Sequence, residues 1–237
     1  MGRIYKRAID SKQYDLGTIK WHSETADSPF RKFFISYLKK YTYLWKNADV
    51  LEIGSGLGWL LNLIKQEGAN IVEGIEPSKK NIAWIKDNFS QLRVFNTDFQ
   101  NFKTERKYDL IIAVMVFNHI GNITEMLAKA YSLLKDKGEL QIIVPEFTHY
   151  RLPTYHHKVE FEKINDEEYA ISVTRDDGTL ADVIRKIGVY KREAHKTKFE
   201  FVEAIPLLPT KELIKSNSKY KKYEKGPPHS YLIRFQK

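Results

Sequence analysis

Gly54, Gly56 and Gly58 alternate with Ser55 and Leu57 directly after the apolar run Val50-Leu51-Glu52-Ile53, and a helical pattern opens at Trp59. Glycines at such a turn let backbone approach a ligand, and the helix start adds N–H groups and the positive end of a dipole. Glu76 ends a second apolar run about 20 residues further on, where a carboxylate can accept both hydroxyls of a ribose. Asp98 and Phe99 end a third run. An aspartate there can accept from an adenine amino group while a phenyl ring covers a ring face. Three consecutive run ends therefore offer a backbone cradle, a ribose acceptor and an adenine acceptor. Two phosphate-binding patterns are excluded. A dinucleotide turn needs its third glycine where Trp59 stands, and no Gly-Lys-Ser/Thr follows for a P-loop. The ligand indicated is a nucleoside without a pyrophosphate.

The elements that must hold these residues alternate. A strand over 50–53 leads into a helix over 58–67 that stops at Gly68, a suitable C-cap. Asn70 to Glu76 is a second strand, and Pro77-Ser78 opens a helix carrying Ile82, Ile85 and Phe89. Leu92 to Asp98 is a third strand, and the unbroken apolar run Asp109 to Val116 fits the buried middle of a parallel sheet. Asn122-Ile123-Thr124-Glu125 is a capping box for a helix over 123–135, and Gly138 turns the chain into strand Glu139 to Val144. This alternation predicts an α/β fold, an open parallel sheet with helices on both faces and its ligand at the carboxyl ends of the strands.

Upstream, Ser28-Pro29 starts a helix bearing Phe30, Phe33, Phe34, Tyr37, Leu38 and Tyr41 at helical spacing, an aromatic face read as core packing. Past Pro145 the pattern becomes antiparallel. Val159 to Ile164 and Tyr169 to Thr174 read as strands, with Asp176-Asp177-Gly178 turning into Leu180 to Ile187. A short helix near 189–197 and strands Phe199 to Ile205 and Ser230 to Phe235 complete the chain.

Glu52 to Gly58, Glu76, Asp98-Phe99, Tyr108 to Ala113 and Leu133 to Leu140 together resemble class I S-adenosylmethionine-dependent methyltransferases, over roughly residues 48–145. The resemblance implies a Rossmann-like, doubly wound, seven-stranded sheet whose last strand is antiparallel, with S-adenosyl-L-methionine as cofactor. It implies that Gly54, Ser55, Gly56 and Gly58 face the methionine moiety, with Glu52, Pro77 and Val114 beside the cofactor. Glu76 would hold the ribose, and Asp98 with Phe99 the adenine. Val114 to His119 would line the reaction centre, with Asn118 towards the substrate. The whole chain, 1–237, then reads as one methyltransferase domain. Its parts are an N-terminal cap (1–46), a cofactor-binding core (47–147), a substrate-lid insertion (148–190) and C-terminal strands of the sheet (191–237).

In-line methyl displacement chiefly requires alignment and desolvation, and a base helps only when the nucleophile arrives protonated. His119 is the best-placed base, and His22, beside Trp21, is a second candidate. Tyr14 and Trp21 lie on a segment able to fold over the cofactor. His149, Tyr150, Tyr155, His156 and His157 are candidates for the acceptor pocket. No metal is expected at His156-His157, because adjacent strand residues point to opposite faces.

Missing groups narrow the acceptor. The absence of cysteine removes disulfides, cysteine-based metal sites, thiol attack on pyrimidine C5 and radical use of the cofactor. Met115-Val116-Phe117-Asn118-His119 is not the Asp/Asn/Ser-Pro-Pro-Tyr/Phe of amine-directed base methylation. The paired glutamates of arginine methyltransferases and the clustered Asp and Asn of a magnesium-dependent catechol site are also missing there. O- or N-methylation of a small metabolite is the leading expectation, by a monomer or homodimer. The net charge of +9, and the stretch Lys211 to Lys225 with Tyr220 and Tyr223 between lysines, support an RNA- or ribosome-directed alternative. Protein methylation and cofactor binding without transfer are further alternatives. No apolar stretch follows the N-terminal charges, and the run Leu110 to Phe117 is far short of the ~20 residues that span a bilayer. A soluble cytoplasmic protein is expected.

Overall fold

The computed structural model describes residues 2–10, 29–152, 158–175, 178–216 and 218–237. Tyr14, Trp21, His22, Ser28, Tyr155, His156, His157 and the turn at Asp176-Asp177 lie outside the described residues.

A short helix, α1 (Arg3–Ala8), and the aromatic helix α2 (Pro29–Leu38) precede the first strand, β1 (Asp49–Ile53). The glycine turn passes into α3 (Trp59–Gln66). Then come β2 (Ile71–Ile75), α4 (Lys79–Asn88), β3 (Arg93–Phe95) and β4 (Tyr108–Val114). Ser78 caps α4 by accepting from the Asn81 N–H at 3.3 Å. Asn122 caps α5 (Ile123–Leu133) by accepting from the Glu125 N–H at 3.2 Å, and Glu125 Oε2 accepts the Asn122 amide in return. β5 (Leu134–Pro145) follows at once.

The chain then leaves the sheet for β6 (Lys158–Lys163), β7 (Glu168–Arg175) and β8 (Gly178–Arg185), an antiparallel three-stranded sheet of its own. It returns through α6 (Ile187–Lys196), β9 (Glu200–Leu207), α7 (Lys211–Ser216) and β10 (Ser230–Gln236).

The main sheet has seven strands in the order β3-β2-β1-β4-β5-β10-β9. β1 pairs parallel with β2 and with β4, β2 with β3, and β4 with β5. β10 runs antiparallel to both β5 and β9. This is the expected seven-stranded sheet with the last strand reversed. The chain winds outward from β1 to β3, then crosses to β4 on the other side of β1, so the topological switch point lies between β1 and β4. Ligands sit outside the carboxyl ends of the strands at such a point.

Side chains alternate across this sheet. Leu51, Ile111 and Ile142 bury towards α5 and α6 with Leu127, Tyr190 and Phe235. Val50, Ile112 and Ile143 bury on the opposite face with Ile64, Phe33 and Leu38. The aromatic face of α2 is therefore core packing: Phe33, Phe34 and Leu38 are buried.

Two strand boundaries and one added helix are the main differences from the sequence reading. β3 stops at Phe95, because the Asn96 side chain turns back to donate to the Glu76 and Pro77 carbonyls at 3.1 and 2.9 Å. β5 begins at Leu134 instead of Glu139. Its pairing with β4 jumps from Tyr108–Leu134 to Leu110–Glu139, and Lys137 takes φ 61° inside the bulge. α1 was not anticipated. It docks on the small sheet through Ala8 against Ala181 and Val183, and Glu162 accepts its Ile4 and Tyr5 N–H groups. Among the described residues no helix is long and apolar enough to cross a membrane.

Candidate active site

The glycine turn is built from backbone that other residues adopt at a cost. Gly54, Gly56 and Gly58 take φ of +70°, +54° and +76°. The Gly54 and Ser55 N–H groups donate to the Ile75 carbonyl at 2.8 and 2.9 Å, which locks the turn onto the tip of β2. The two outer glycines are enclosed. A Cβ on Gly54 would stand 2.5 Å from Val116 Cγ2, and one on Gly58 would press Leu92 and Ile85 at 3.2 and 3.3 Å. Gly56 differs: a Cβ there meets nothing within 4 Å. Gly56 thus presents bare backbone to open space at the carboxyl edge of the sheet. Trp59 packs edge-on to Phe89 at 5.0 Å and beside Trp84.

Glu76, at the tip of β2, is buried and joins this turn to the next helix. Oε2 accepts the Gly56 N–H at 2.8 Å, while Oε1 accepts Ser78 N–H at 2.9 Å and the Asn81 amide at 3.2 Å. Pro77 follows directly, and its carbonyl accepts from Asn96. Asp98 lies beyond β3, half-buried, with both oxygens accepting from Asn101. Gly56, Glu76 and Asp98 thus occupy the tips of three neighbouring strands. The Phe99 ring does not lie open to this edge as the sequence reading supposed. It is buried in the core beneath the Lys129 ammonium, 5.3 Å from the ring centre.

Glu52 is buried inside β1, four residues before Gly56. Burial first, and the Glu76 carboxylate second, push its carboxyl well above the ordinary range. Leu61 backbone and the charge of Arg31 oppose this shift. A carboxyl with a raised folded-state pKa binds its proton in the fold at pH values where the unfolded chain has lost it. Its stability contribution is therefore largest below about pH 4.3 and shrinks as pH rises towards the folded-state value. Glu52→Gln should flatten this slope, gaining on the parent as pH rises from 4 to 8 in thermal melts. Parallel curves for the two proteins would contradict it.

The segment after β4 closes the other side of the switch point. Val114 is its last strand residue, and Met115 takes φ +56°, a strained value for a side chain of its size. Val116 packs against Gly54, as its 2.5 Å approach to a Gly54 Cβ indicates. A 3-10 turn, Phe117–His119, then buries Asn118 fully and His119 mostly.

A residue missed in the sequence reaches this turn. Asp182, in the middle of β8, is buried with Oδ1 2.9 Å from His119 Nδ1 and 3.1 Å from Asn118 Nδ2. Tyr150 donates its hydroxyl to Oδ2 at 2.8 Å. Burial alone would raise the Asp182 carboxyl. The charge and hydrogen bonds of His119, with those of Tyr150 and Asn118, outweigh burial and hold it below the usual carboxylate range. The contact to His119 is short but bent, with the ring N–H off the line to the oxygen. Asn118 Nδ2 also lies 3.0 Å from His119 Nε2.

Arg185, at the end of β8, is equally buried. It donates to the Phe117, Ile120 and Gly121 carbonyls at 3.0, 2.7 and 3.2 Å, and to Glu168 at 2.6 Å. The small sheet is thereby clasped to the segment after β4. The sequence carries one signal for both residues: charges inside the apolar run Ala181 to Ile187 must find partners if the strand is buried.

His149 and Tyr150 diverge. Tyr150 joins Asp182, whereas the His149 ring lies against Tyr223 and His229, with Nδ1 2.6 Å from the Tyr223 hydroxyl. Tyr220 and Tyr223, read as a possible stacking surface for bases, are buried in the core beside Phe33 and Leu213. Their rings present no open face. A groove of about 610 Å³ on the small sheet, lined by Phe147, Arg151, Phe161 and Tyr169 among others, includes none of the glycine-turn residues. Among the described residues no cluster of three or more His, Asp or Glu suits a metal ion.

Comparison with known proteins bears on the family and the fold. Residues 30–191 match the family model described as a methyltransferase domain. A ubiquinone biosynthesis O-methyltransferase of Rickettsia bellii is 22% identical over 116 residues, 47% of this chain and 48% of that protein. The chain thus spans about half the length of the curated relatives it matches. A methyltransferase dependent on S-adenosylmethionine from Mesorhizobium loti superposes with a TM-score of 0.63 at 13% identity, covering 81% of this chain and 92% of that one. The 1,6-didemethyltoxoflavin-N1-methyltransferase of Burkholderia thailandensis, solved with that substrate and S-adenosylhomocysteine, superposes at 0.55 with 14% identity over 92% and 80%. The chain belongs to the methyltransferase-domain family. Its architecture is that of the class I enzymes that use S-adenosylmethionine.

Proposed function

We propose that this chain moves the methyl group of S-adenosylmethionine to an O or N atom of a small metabolite by in-line displacement. The observation that carries the reading is the link between two strand tips: Gly56 N–H donates to Glu76 Oε2 at 2.8 Å beside open space. The residues present fit an adenosyl donor. Gly54, Ser55, Gly56 and Gly58 offer backbone to the methionine end. Glu76 and Pro77 flank the ribose, Asp98 and the Phe99 backbone flank the adenine, and Glu52 and Val114 lie behind the turn. When bound, the donor supplies a methyl carbon made electrophilic by its sulfonium. The chain's part is to align that carbon, exclude water and manage the acceptor's proton. Asn118, His119 and Tyr150 stand on the acceptor side, with His119 as the base. Residues 148–190 act as the lid, held down by Asp182 and Arg185.

Family membership supports the reaction type, and the named relatives with small-molecule acceptors support the acceptor class. A labelled-donor screen across phenols, hydroxy acids, amines and heteroaromatic N–H compounds tests it. Transfer to at least one such class, with no transfer to RNA or protein, is expected. Transfer to RNA that falls steeply with salt would overturn the small-molecule assignment.

The two kinds of glycine separate binding from stability. Gly56→Ala should cost only about 1–2 kcal/mol of stability for its left-handed φ. Its methyl group fills the donor's space, so affinity for S-adenosylhomocysteine should fall about tenfold or more by calorimetry. Gly54→Ala adds the clash with Val116 and should lose about 1–3 kcal/mol further in urea unfolding. Equal effects of both substitutions on stability and on binding would contradict this division.

A further inference from the structure

We infer that the groove on the small sheet binds a small aromatic anion, a planar ring carrying a carboxylate, at a site separate from the donor site. The inference goes beyond methyl transfer and does not depend on it.

Part of the lining is aromatic and fixed in place. Phe147 and Tyr169 pack edge to face at 5.0 Å, and Phe161 lies tilted against Tyr169 at 5.7 Å. Tyr169 is buried and donates its hydroxyl to the Phe147 carbonyl, which ties the loop after β5 to β7. Phe161, on the outer strand β6, keeps 49% of its surface exposed. A ring that open can stack on a planar ligand. The volume of about 610 Å³ is that of a small-molecule site.

The charged lining is three cations, Arg151, Lys163 and Lys186, and one acid, Asp166. Asp166 holds Lys163 at 2.7 Å and feels Lys186 only as a weaker charge. The Arg151 guanidinium carbon stands 5.2 Å from the Phe147 ring centre and 4.8 Å from that of Tyr169. The Lys186 ammonium stands 5.3 Å from the same Phe147 centre. Neighbouring acids are engaged elsewhere: Glu167 with Arg192, Glu168 with Arg185, and Glu146 with the Thr148 N–H. Among the described residues Arg151 and Lys186 form no ion pair. Lys186 is also the N-cap of α6, which has neither a side-chain cap nor an acid in its first turn, so the helix dipole adds to the positive field. Two cations gathered on one ring repel each other, and an anion held by both reverses that term. A carboxylate suits the planar fork of Arg151, which can grip both its oxygens.

The groove stands apart from the reaction centre. Phe161, Ile171 and Asp182 are paired in register across β6, β7 and β8, so they share one face of the small sheet. Ile171 between them is wholly buried, and Phe147 and Tyr150 pack against its cluster. None of the groove's described lining residues belongs to the glycine turn or to the group around His119.

The test is a titration of 15N-labelled protein with 2-naphthoate, followed by backbone amide shifts, beside 2-naphthamide, which keeps the rings and lacks the charge. Naphthoate should move the amides of residues 147–151, 161–169 and 186 and leave Gly54 to Gly58 in place. The amide should bind about tenfold more weakly or worse. Arg151→Gln and Phe161→Ala, both at exposed side chains, should each weaken naphthoate about tenfold or more. Lys211→Gln, at an exposed lysine outside the groove, should not. Equal affinity for acid and amide, or parent affinity in both groove variants, would overturn the inference. Shifts centred on the glycine turn, or no shifts at millimolar naphthoate, would also overturn it. The same groove shifts are expected with S-adenosylhomocysteine bound, and competition between the two compounds would contradict a separate site. A single-stranded oligonucleotide that displaces naphthoate, with an affinity falling steeply with salt, would make the groove a nucleic-acid contact instead.

Discussion

Arg185→Ala is expected to lower the free energy of unfolding by about 3–5 kcal/mol, the usual cost of removing one partner from a buried, hydrogen-bonded charge cluster. The guanidinium is buried and donates to three carbonyls of the segment after β4 and to Glu168. Alanine leaves the Phe117, Ile120 and Gly121 carbonyls without this donor. Lysine should not rescue, because a single ammonium cannot reproduce the planar fork that spans these carbonyls. Urea unfolding checks the value. The loss should fall on the clasp between the small sheet and the β4 segment, so amide exchange should rise first at residues 117–121 and 178–185. An unchanged midpoint, or loosening that starts in β1 to β3, would contradict the assignment.

Glu76→Ala carries the second large effect. Its carboxylate accepts the Gly56 N–H, the Ser78 N–H and the Asn81 amide, all within the buried tip of β2. Hydrogen bonds to a charged group contribute about 1.5–3 kcal/mol each. Removing the acceptor should release the glycine turn as well as the ribose contact. Affinity for S-adenosylhomocysteine should fall about ten- to hundredfold at a temperature where the variant is fully folded. Glu76→Gln keeps the shape but loses the charge, and should fall between the two. Parent-like affinity in Glu76→Ala would remove Glu76 from the donor site.

The part of the fold that was legible in the sequence is the part written in short range. The glycine turn, the Ser78 and Asn122 caps and the alternating apolar runs each lie within a few residues, so spacing alone places them. The alternation of strands and helices indicates the parallel sheet, and β10 takes the reversed place that the family resemblance implies.

What was not legible depends on contacts between distant residues. Asp182 and Arg185 stand out in the sequence only as charges within an apolar run, and only the packing of the small sheet brings them to His119 and the Phe117 carbonyl. Phe99 follows a strand tip, yet its ring turns into the core because the neighbouring aromatics Phe95 and Phe102 are already packed there. The lysine-rich stretch reads as a nucleic-acid surface in one dimension. In three dimensions Tyr220 and Tyr223 close the core beside Phe33, while Lys211, Lys215, Lys221 and Lys225 face solvent together with Glu212 and Glu224. The bulge in β5 depends on Lys135, whose ammonium is held by Asp49 and Asp109 from two other strands.

The central claim is that the tips of β1, β2 and β3 jointly hold an adenosyl group. Titration of 15N-labelled protein with S-adenosylhomocysteine, followed by backbone amide shifts, tests it most directly. The account predicts the largest changes at Gly54 to Gly58, Glu76 to Ser78 and Asp98 to Phe99, with Gly56 foremost. Binding that shifts other parts of the sheet and leaves the Gly56 amide unmoved would contradict it.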